Sequence, residues 1–413
     1  MHPRIAVALI FLLVVGCSTE SKKARHLQRA NRYLQAGEID KAEIEFANVL
    51  RLDTRNKTAI RSLGLIYFDQ GKPPKAFSFL QQAKALEPND LDVRIKLASL
   101  YLAGRKLKEV RDEADYVLQQ QPGHDEALVF LADAAQEATD IQALRERLEG
   151  MRPQLEKRPG FHLALGTLAF REKRHAEAEA FFRQAVRLGS DLPLAHSILG
   201  NFYAAQGNLP AAGSAYKAAF DLSPLRSSRR FDYIDFKVRH GDVAAGKKLL
   251  EELVQKAPDH LPAVNRLVEL NFGEKNYDRA SALIRKALAR DPNNYEALLT
   301  QGLLHLAQAD TAKAIAHFER MSAVFPTVPK VRYHLALAFL ATNNAPEAMN
   351  HLNQAMRQDP EYAEPVLLLA EIHTRKGDSS TAIVLLSELI RNRPRLADAH
   401  LLLANAYRLR NNL

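Results

Sequence analysis

Fourteen histidines, one cysteine and 48 acidic side chains are the raw material for chemistry in this 413-residue chain. Imidazoles bind metals and move protons near neutral pH, thiolates attack and ligate, and paired carboxylates do acid–base work. Each of these needs its groups at a defined spacing. No H-E-x-x-H, C-x-x-C, G-x-S-x-G or Walker loop occurs. Carboxylate pairs such as Glu251-Glu252 fall on helical stretches where a solvated outer face is their ordinary setting. His317 and His351 lie 34 residues apart, which places them on neighbouring helices about 8–10 Å from each other. That is long for shared ligation, and no third ligand joins them. The expectation is no catalytic residue, no metal and no cofactor.

The elements that carry these groups are set by a single count. Pro88, Pro122, Pro224, Pro258, Pro292, Pro326, Pro360 and Pro394 are separated by multiples of 34 residues. Stacked identical units keep such a count, whereas a lone globular domain has no reason to. With proline at position 32, units start at 23, 57, 91, 125, 159, 193, 227, 261, 295, 329 and 363. A half unit, expected as a capping helix with His400, Leu403, Ala404 and Tyr407 facing the stack, covers 397–413. Position 8 is small in most units (Gly64, Ala98, Gly200, Gly302, Ala336), and so is position 20 (Ala42, Ala76, Ala212, Ala280). Small residues recur where helix backbones cross closely. Gly37, Gly71, Gly207, Gly241 and Gly377 share position 15, where a left-handed residue ends the first helix. The same count assigns His26, His162, His196 and His400 to position 4, and His305 and His373 to position 11, as packing residues. His124 and His260 fall in the turn between units.

The run Leu199, Gly200, Tyr203, Gly207, Ala212, Tyr216, Ala219 and Pro224 resembles the tetratricopeptide repeat (TPR) motif, and the register covers residues 23 to 413. The first-helix tryptophan of that family is absent, since the chain has none. The resemblance implies an all-α, right-handed superhelical solenoid of about eleven and a half helix-turn-helix units. It also implies more than one superhelical turn, with first helices lining a concave groove and no enzymatic activity.

At the N-terminus, His2 and Arg4 precede an apolar run from Ile5 to Val15, followed by Gly16 and the only cysteine, Cys17. The run is too short to span a bilayer and fits a secretory signal core. The segment looks like a lipobox. That resemblance implies a signal peptide over 1–16, lipid on Cys17, a short tether over 17–22, and, with Ser18 next, the periplasmic face of a bacterial outer membrane. An incidental buried cysteine is the alternative. Two or more acyl chains hold a protein stably on a membrane. The net charge of +9 then belongs to ordinary solvated helix faces or points to anionic headgroups, acidic polysaccharide or acidic proteins, and not to nucleic acid.

By the same family analogy the concave wall carries Leu299, Leu303, Leu306, Tyr333, Leu337, Leu340, Leu367 and Leu401. This apolar stripe suits a helical or extended protein partner if it is open; tight winding would bury it. Asn31 and Asn201 sit where a carboxylate clamp of the family has asparagine, but Leu27 and Ser197 replace its lysine, so that function is not implied. Unit seven departs from the repeat with Arg229, Arg230, Phe231, Lys237 and Arg239, and with Ile234 at the small position 8. Such a basic–aromatic set, with Tyr233 and Phe236 interleaved, binds an anionic or sugar partner or marks local repacking. In unit four, Pro153 falls inside the second helix and is expected to break it. The tandem units are similar to long TPR lipoproteins of exosortase and exopolysaccharide systems. The expected role is therefore a scaffold in an envelope machine, with direct polysaccharide binding as the alternative.

Overall fold

The computed structural model describes the backbone of residues 3–411 and the side chains of residues 19–410. The side chains of the signal segment and of Cys17 lie outside the described residues. The first helix runs Pro3–Gln35, through the stretch read as a tether. No described helix is long and apolar enough to cross a membrane.

The described residues form helices and turns throughout, in the register the prolines set. Eight first helices run 13 residues from position 1, among them Lys57–Asp69, Pro193–Ala205 and Ala363–Arg375. Ten second helices run 14 residues from position 17, among them Pro73–Leu86 and Leu209–Leu222. Position 15 is left-handed wherever this spacing holds. Glycine supplies it in five units, and Arg105, Lys173, Lys275, Ala309 and Asn343 supply it in five more, with φ between 55° and 62°. The next amide then bonds back five residues, as in Lys72 N to Tyr67 O and Asp310 N to His305 O, both 2.9 Å. This closes the end of the first helix and aims the chain into the second.

Position 8 is small because position 24 of the same unit lies on it. A Cβ on Gly302 would stand 2.4 Å from Phe318, and one on Gly200 would stand 2.6 Å from Tyr216. Unit seven departs at position 8, where Ile234 is fully buried, while its position 20 stays small as Gly246, where a Cβ would meet Val238 at 2.5 Å.

Unit four breaks the pattern locally. Its first helix, Asp125–Ala134, stops three residues short, and its second begins early at Ala138. That second helix ends at Gly150, and Pro153 sits in the first turn of a short helix, Arg152–Leu155, as its ring requires. The opened end of Asp125–Ala134 is closed by Arg171 of the next unit. Its guanidinium donates to Ala132 O at 2.8 Å, to Asp133 O at 3.0 Å and to Ala135 O.

The last helix, Ala397–Asn411, corrects one expectation. It buries Ala399 and Ala406 and half-buries Leu402 and Leu403, while His400, Ala404 and Tyr407 are exposed. In complete units positions 8 and 11 lie against that unit's own second helix, and no second helix follows here among the described residues.

The chain divides into two compact bodies, Met1–Val264 and Asn265–Leu413. Within the first body the chain of units returns on itself. Leu261 N donates to Gln70 O at 3.2 Å, and His260 Nδ1 donates to Asp69 O at 2.8 Å. Pro262 sits so close to Gly71 that a Cβ there would be 2.3 Å from the proline ring. Burial raises the Asp69 carboxyl above its ordinary range, and the nearby charges of Lys96 and Arg226 oppose that shift.

Candidate functional surfaces

The histidines have structural work. A carbonyl oxygen only accepts, so His162, His196 and His400 each donate Nε2–H to the carbonyl at position 32 of the preceding unit. Their partners are Glu156, Ser190 and Pro394, at 2.7, 2.9 and 2.9 Å. Arg94 and Arg230, also at position 4, reach the same carbonyls, Pro88 O at 2.7 Å and Pro224 O at 3.0 Å. Position 4 is thus a hydrogen-bonding latch between units and not only a packing site. The sequence signal was there, since histidine and arginine share the position and both offer a long-reaching N–H. His26 instead pairs with Glu45 at 2.5 Å, and His124 caps the following helix by accepting from Ala127 N at 3.3 Å.

His317 and His351 are not brought together as ligands. His317 donates to Leu298 O at 2.7 Å, and His351 stacks on Phe339 at 5.5 Å between centroids. Burial lowers the affinity of both imidazoles for a proton. His334 is more extreme. It is 9% exposed, stacks on Phe318, and offers neither ring nitrogen a hydrogen-bond partner. Burial first, and the charge of Lys330 second, lower its pKa to about 4. Among the described residues no group of three or more His, Cys, Asp or Glu side chains is placed to hold a metal.

The five residues singled out in unit seven do not share a surface. Phe231 is buried, 3% exposed, and stacked on His260. Arg229 pairs with Glu126 at 2.8 Å, linking first helices three units apart. Arg230 is held by Ser223 O at 2.6 Å and Pro224 O, with its guanidinium 4.5 Å from the Phe220 ring centroid. Burial lowers its pKa. Lys237 pairs with Asp242 at 3.1 Å, and Arg239 donates to Asp235 O at 3.2 Å. These cations are satisfied internally, as repacking requires.

The apolar stripe lies wholly in the second body. Leu299 is buried at 8% exposure, whereas Leu401, at the same position of the repeat, is 71% exposed. Leu303, Leu306, Tyr333, Leu337, Leu340 and Leu367 are half-buried. Tyr333 meets Tyr362 edge-on at 5.8 Å, and burial raises the pKa of both phenols. The face is thus neither closed by its neighbours nor fully open.

An array of helix pairs in one 34-residue register defines a helical-repeat protein. Comparison with known proteins names the family. Models described as "Tetratricopeptide repeat" match residues 237–302, 305–372 and 344–406, and another matches 27–90 and 138–193. The chain belongs to the tetratricopeptide repeat family, whose members serve as protein-interaction scaffolds.

It is 21% identical over 401 residues to the TPR repeat-containing protein YpiA of Bacillus subtilis (strain 168), covering 88% of this chain and 94% of that one. It is 24% identical to the cellulose synthase operon protein C of Xanthomonas axonopodis pv. citri (strain 306), covering 89% of this chain but 24% of the relative. Among solved structures, the Cut9 hetero-tetramer with Hcn1 aligns with a TM-score of 0.46 and 15% identity, over 93% of this chain and 76% of that one.

Proposed function

We propose that this chain is a lipid-anchored TPR scaffold of a bacterial envelope machine, carried at the periplasmic face of the outer membrane through Cys17. The observation that carries the binding role is the half-open row of leucines and Tyr333 on the first helices of the second body. Side chains held by a rigid repeat and left partly solvated lose little entropy when a partner covers them. A helical or extended protein segment fits such a row. The printed name of the Xanthomonas relative supports polysaccharide synthesis as the setting, and the lipobox-like N-terminus supports the anchor.

Photo-cross-linkers at Leu303, Leu337 and Leu367 in cells test the role. The expected result is a single protein partner whose capture is lost in Leu337→Glu while the melting curve is unchanged. Recovery of polysaccharide alone would overturn the scaffold reading. Cys17→Ser is expected to abolish labelling by an alkyne fatty acid and to release the protein from the membrane fraction. Continued membrane retention of that variant would remove the anchor.

A further inference from the structure

We propose that the first body carries a saccharide-binding pocket, between the second helix of unit six, Leu209–Leu222, and the first helix of unit seven, Arg229–Arg239, which takes an uncharged pyranose unit. The cavity measures about 320 Å³, with Leu209, Pro210, Tyr233 and Phe236 as its apolar lining and Lys217 and Lys237 beside them. That is the lower end of the range in which small-ligand sites occur.

Two departures from the repeat create the cavity. Gly213 is the only glycine at position 21; every other unit places a side chain there, from Ser281 to Phe77 and Arg111. A Cβ on Gly213 would already come 3.0 Å from the Phe236 ring. Tyr233 is the only aromatic residue at position 7, which is leucine in nine of twelve units. One change removes a wall and the other adds a ring.

The rings are held in place before any ligand arrives. Tyr233 packs against Phe220 at 5.8 Å, and Phe236 lies between Tyr216 at 5.5 Å and His240 at 4.6 Å. The electron-rich faces of such rings attract the C–H face of a pyranose. Sugar hydroxyls need both donors and acceptors. Lys217 pairs with Asp221 at 2.6 Å and Lys237 with Asp242 at 3.1 Å, so each ammonium of the lining is neutralised by a carboxylate that stands outside it. The Tyr233 hydroxyl adds both roles, and the Ser214 hydroxyl, which donates to Pro210 O at 3.0 Å, adds an acceptor. These four charges sum to zero, which removes the attraction a polyanion would need. A purely apolar ligand would strip water from the ion pairs and return no hydrogen bond.

The test titrates the full chain with two neutral hexasaccharides of glucose, one α-linked and one β-linked, and with trigalacturonate as the acidic counterpart. Binding is followed by calorimetry and by aromatic resonances. At least one neutral hexasaccharide is expected to saturate the protein. Tyr233→Leu installs the commonest residue of position 7, whereas Gly213→Glu sets a Cβ 3.0 Å from Phe236, so thermal melting checks the folding of each and Tyr233→Leu carries the test if Gly213→Glu unfolds. Each is expected to weaken binding at least about tenfold, equivalent to roughly 1.4 kcal/mol. Failure of both neutral sugars to saturate, undiminished binding in Tyr233→Leu or Gly213→Glu, or binding of trigalacturonate alone would each overturn the proposal. Because the leucine row is untouched by these variants, the scaffold reading stands or falls separately.

Discussion

The two bodies share one repeat register and present different first-helix faces. In the first, polar side chains tie units together: Arg229 to Glu126 across three units, Arg226 to Asp259 at 2.7 Å, and Ser197 to Asp232 between neighbours. In the second, the corresponding first helices carry half-buried leucines, and the buried polar side chain His334 goes without a partner. Outside units one, four and seven the helix lengths and turns of complete units match between the bodies, so backbone geometry does not decide which surface a regular unit presents. The difference teaches that the repeat fixes where side chains stand, while a handful of charged or apolar choices fixes whether a face is closed or available.

The largest expected effect breaks the polar tying of the first body. Glu113 is 3% exposed and takes Arg94 at 2.5 Å and Lys84 on its two oxygens, while Arg94 also latches Pro88 O and lies 3.4 Å from the Tyr116 ring centroid. Glu113→Leu leaves a buried guanidinium without its counter-ion and is expected to cost roughly 3–5 kcal/mol. Hydrogen exchange is the measurement, because a repeat array does not unfold as one unit. Amides of units two to four should lose protection, while those of the second body keep theirs. Uniform loss across both bodies would show that the two are not separately stabilised.

The second effect belongs to the second body and comes from pH. His334 has a folded pKa of about 4 against an unfolded value near 6.5. The unfolded chain therefore binds a proton first as pH falls, and the stability this residue permits is full above about 6.5 and is lost toward 4. The linkage amounts to roughly 3 kcal/mol. His334→Leu should flatten that part of the stability profile between pH 7 and 4. An unchanged profile would place the acid sensitivity elsewhere, on His317 or His351.

Third comes a matched pair of glycines at position 15. Gly71 and Gly377 have φ of 70° and 82°, but only Gly71 faces another segment, the Pro262 ring, whereas Gly377 has nothing within 4 Å of its absent Cβ. Gly377→Ala is expected to cost about 1 kcal/mol, the strain of a left-handed alanine. Gly71→Ala adds a clash with Pro262 and is expected to cost roughly 2–4 kcal/mol, with lost protection at Gln70 and Leu261. Equal melting shifts for the two variants would mean that the return of the first body on itself contributes nothing to its stability.

Much of this was legible in the chain. The proline count placed nearly every helix, because a 34-residue period leaves room for one pair of lengths, and Pro153 announced the break in unit four. The latch at position 4 is not evident from the count, which assigns histidine there to packing and gives its N–H no partner. Arg229, Arg230, Phe231, Lys237 and Arg239 read as one surface because they are close in sequence. A helix sends such neighbours to different faces, and long side chains find partners units away. The cavity at Gly213 was hidden for a related reason, since its two walls come from different units.

The smallest expected effect asks whether the turn belongs to the residue or to the count. Ala309 holds φ of 58° at position 15 of the second body, and Lys173 holds 62° at the same position of the first. Both take the left-handed conformation although each carries a Cβ, because the helix on either side fixes where the chain must turn, and the amide of the next residue bonds back to His305 or Ala169 at 2.9 Å. A β-carbon there costs about 1 kcal/mol relative to glycine, part of which glycine gives back through the greater freedom of its unfolded chain. Ala309→Gly and Lys173→Gly are therefore each expected to stabilise their own body by about 0.5–1 kcal/mol, measured as a rise in melting temperature and in local protection. Because the gain depends on backbone geometry alone, it should be the same in both bodies, however differently their surfaces are built. A gain confined to one of them would mean that the turn is strained by its neighbours there, and that the common register conceals a difference in the backbone itself.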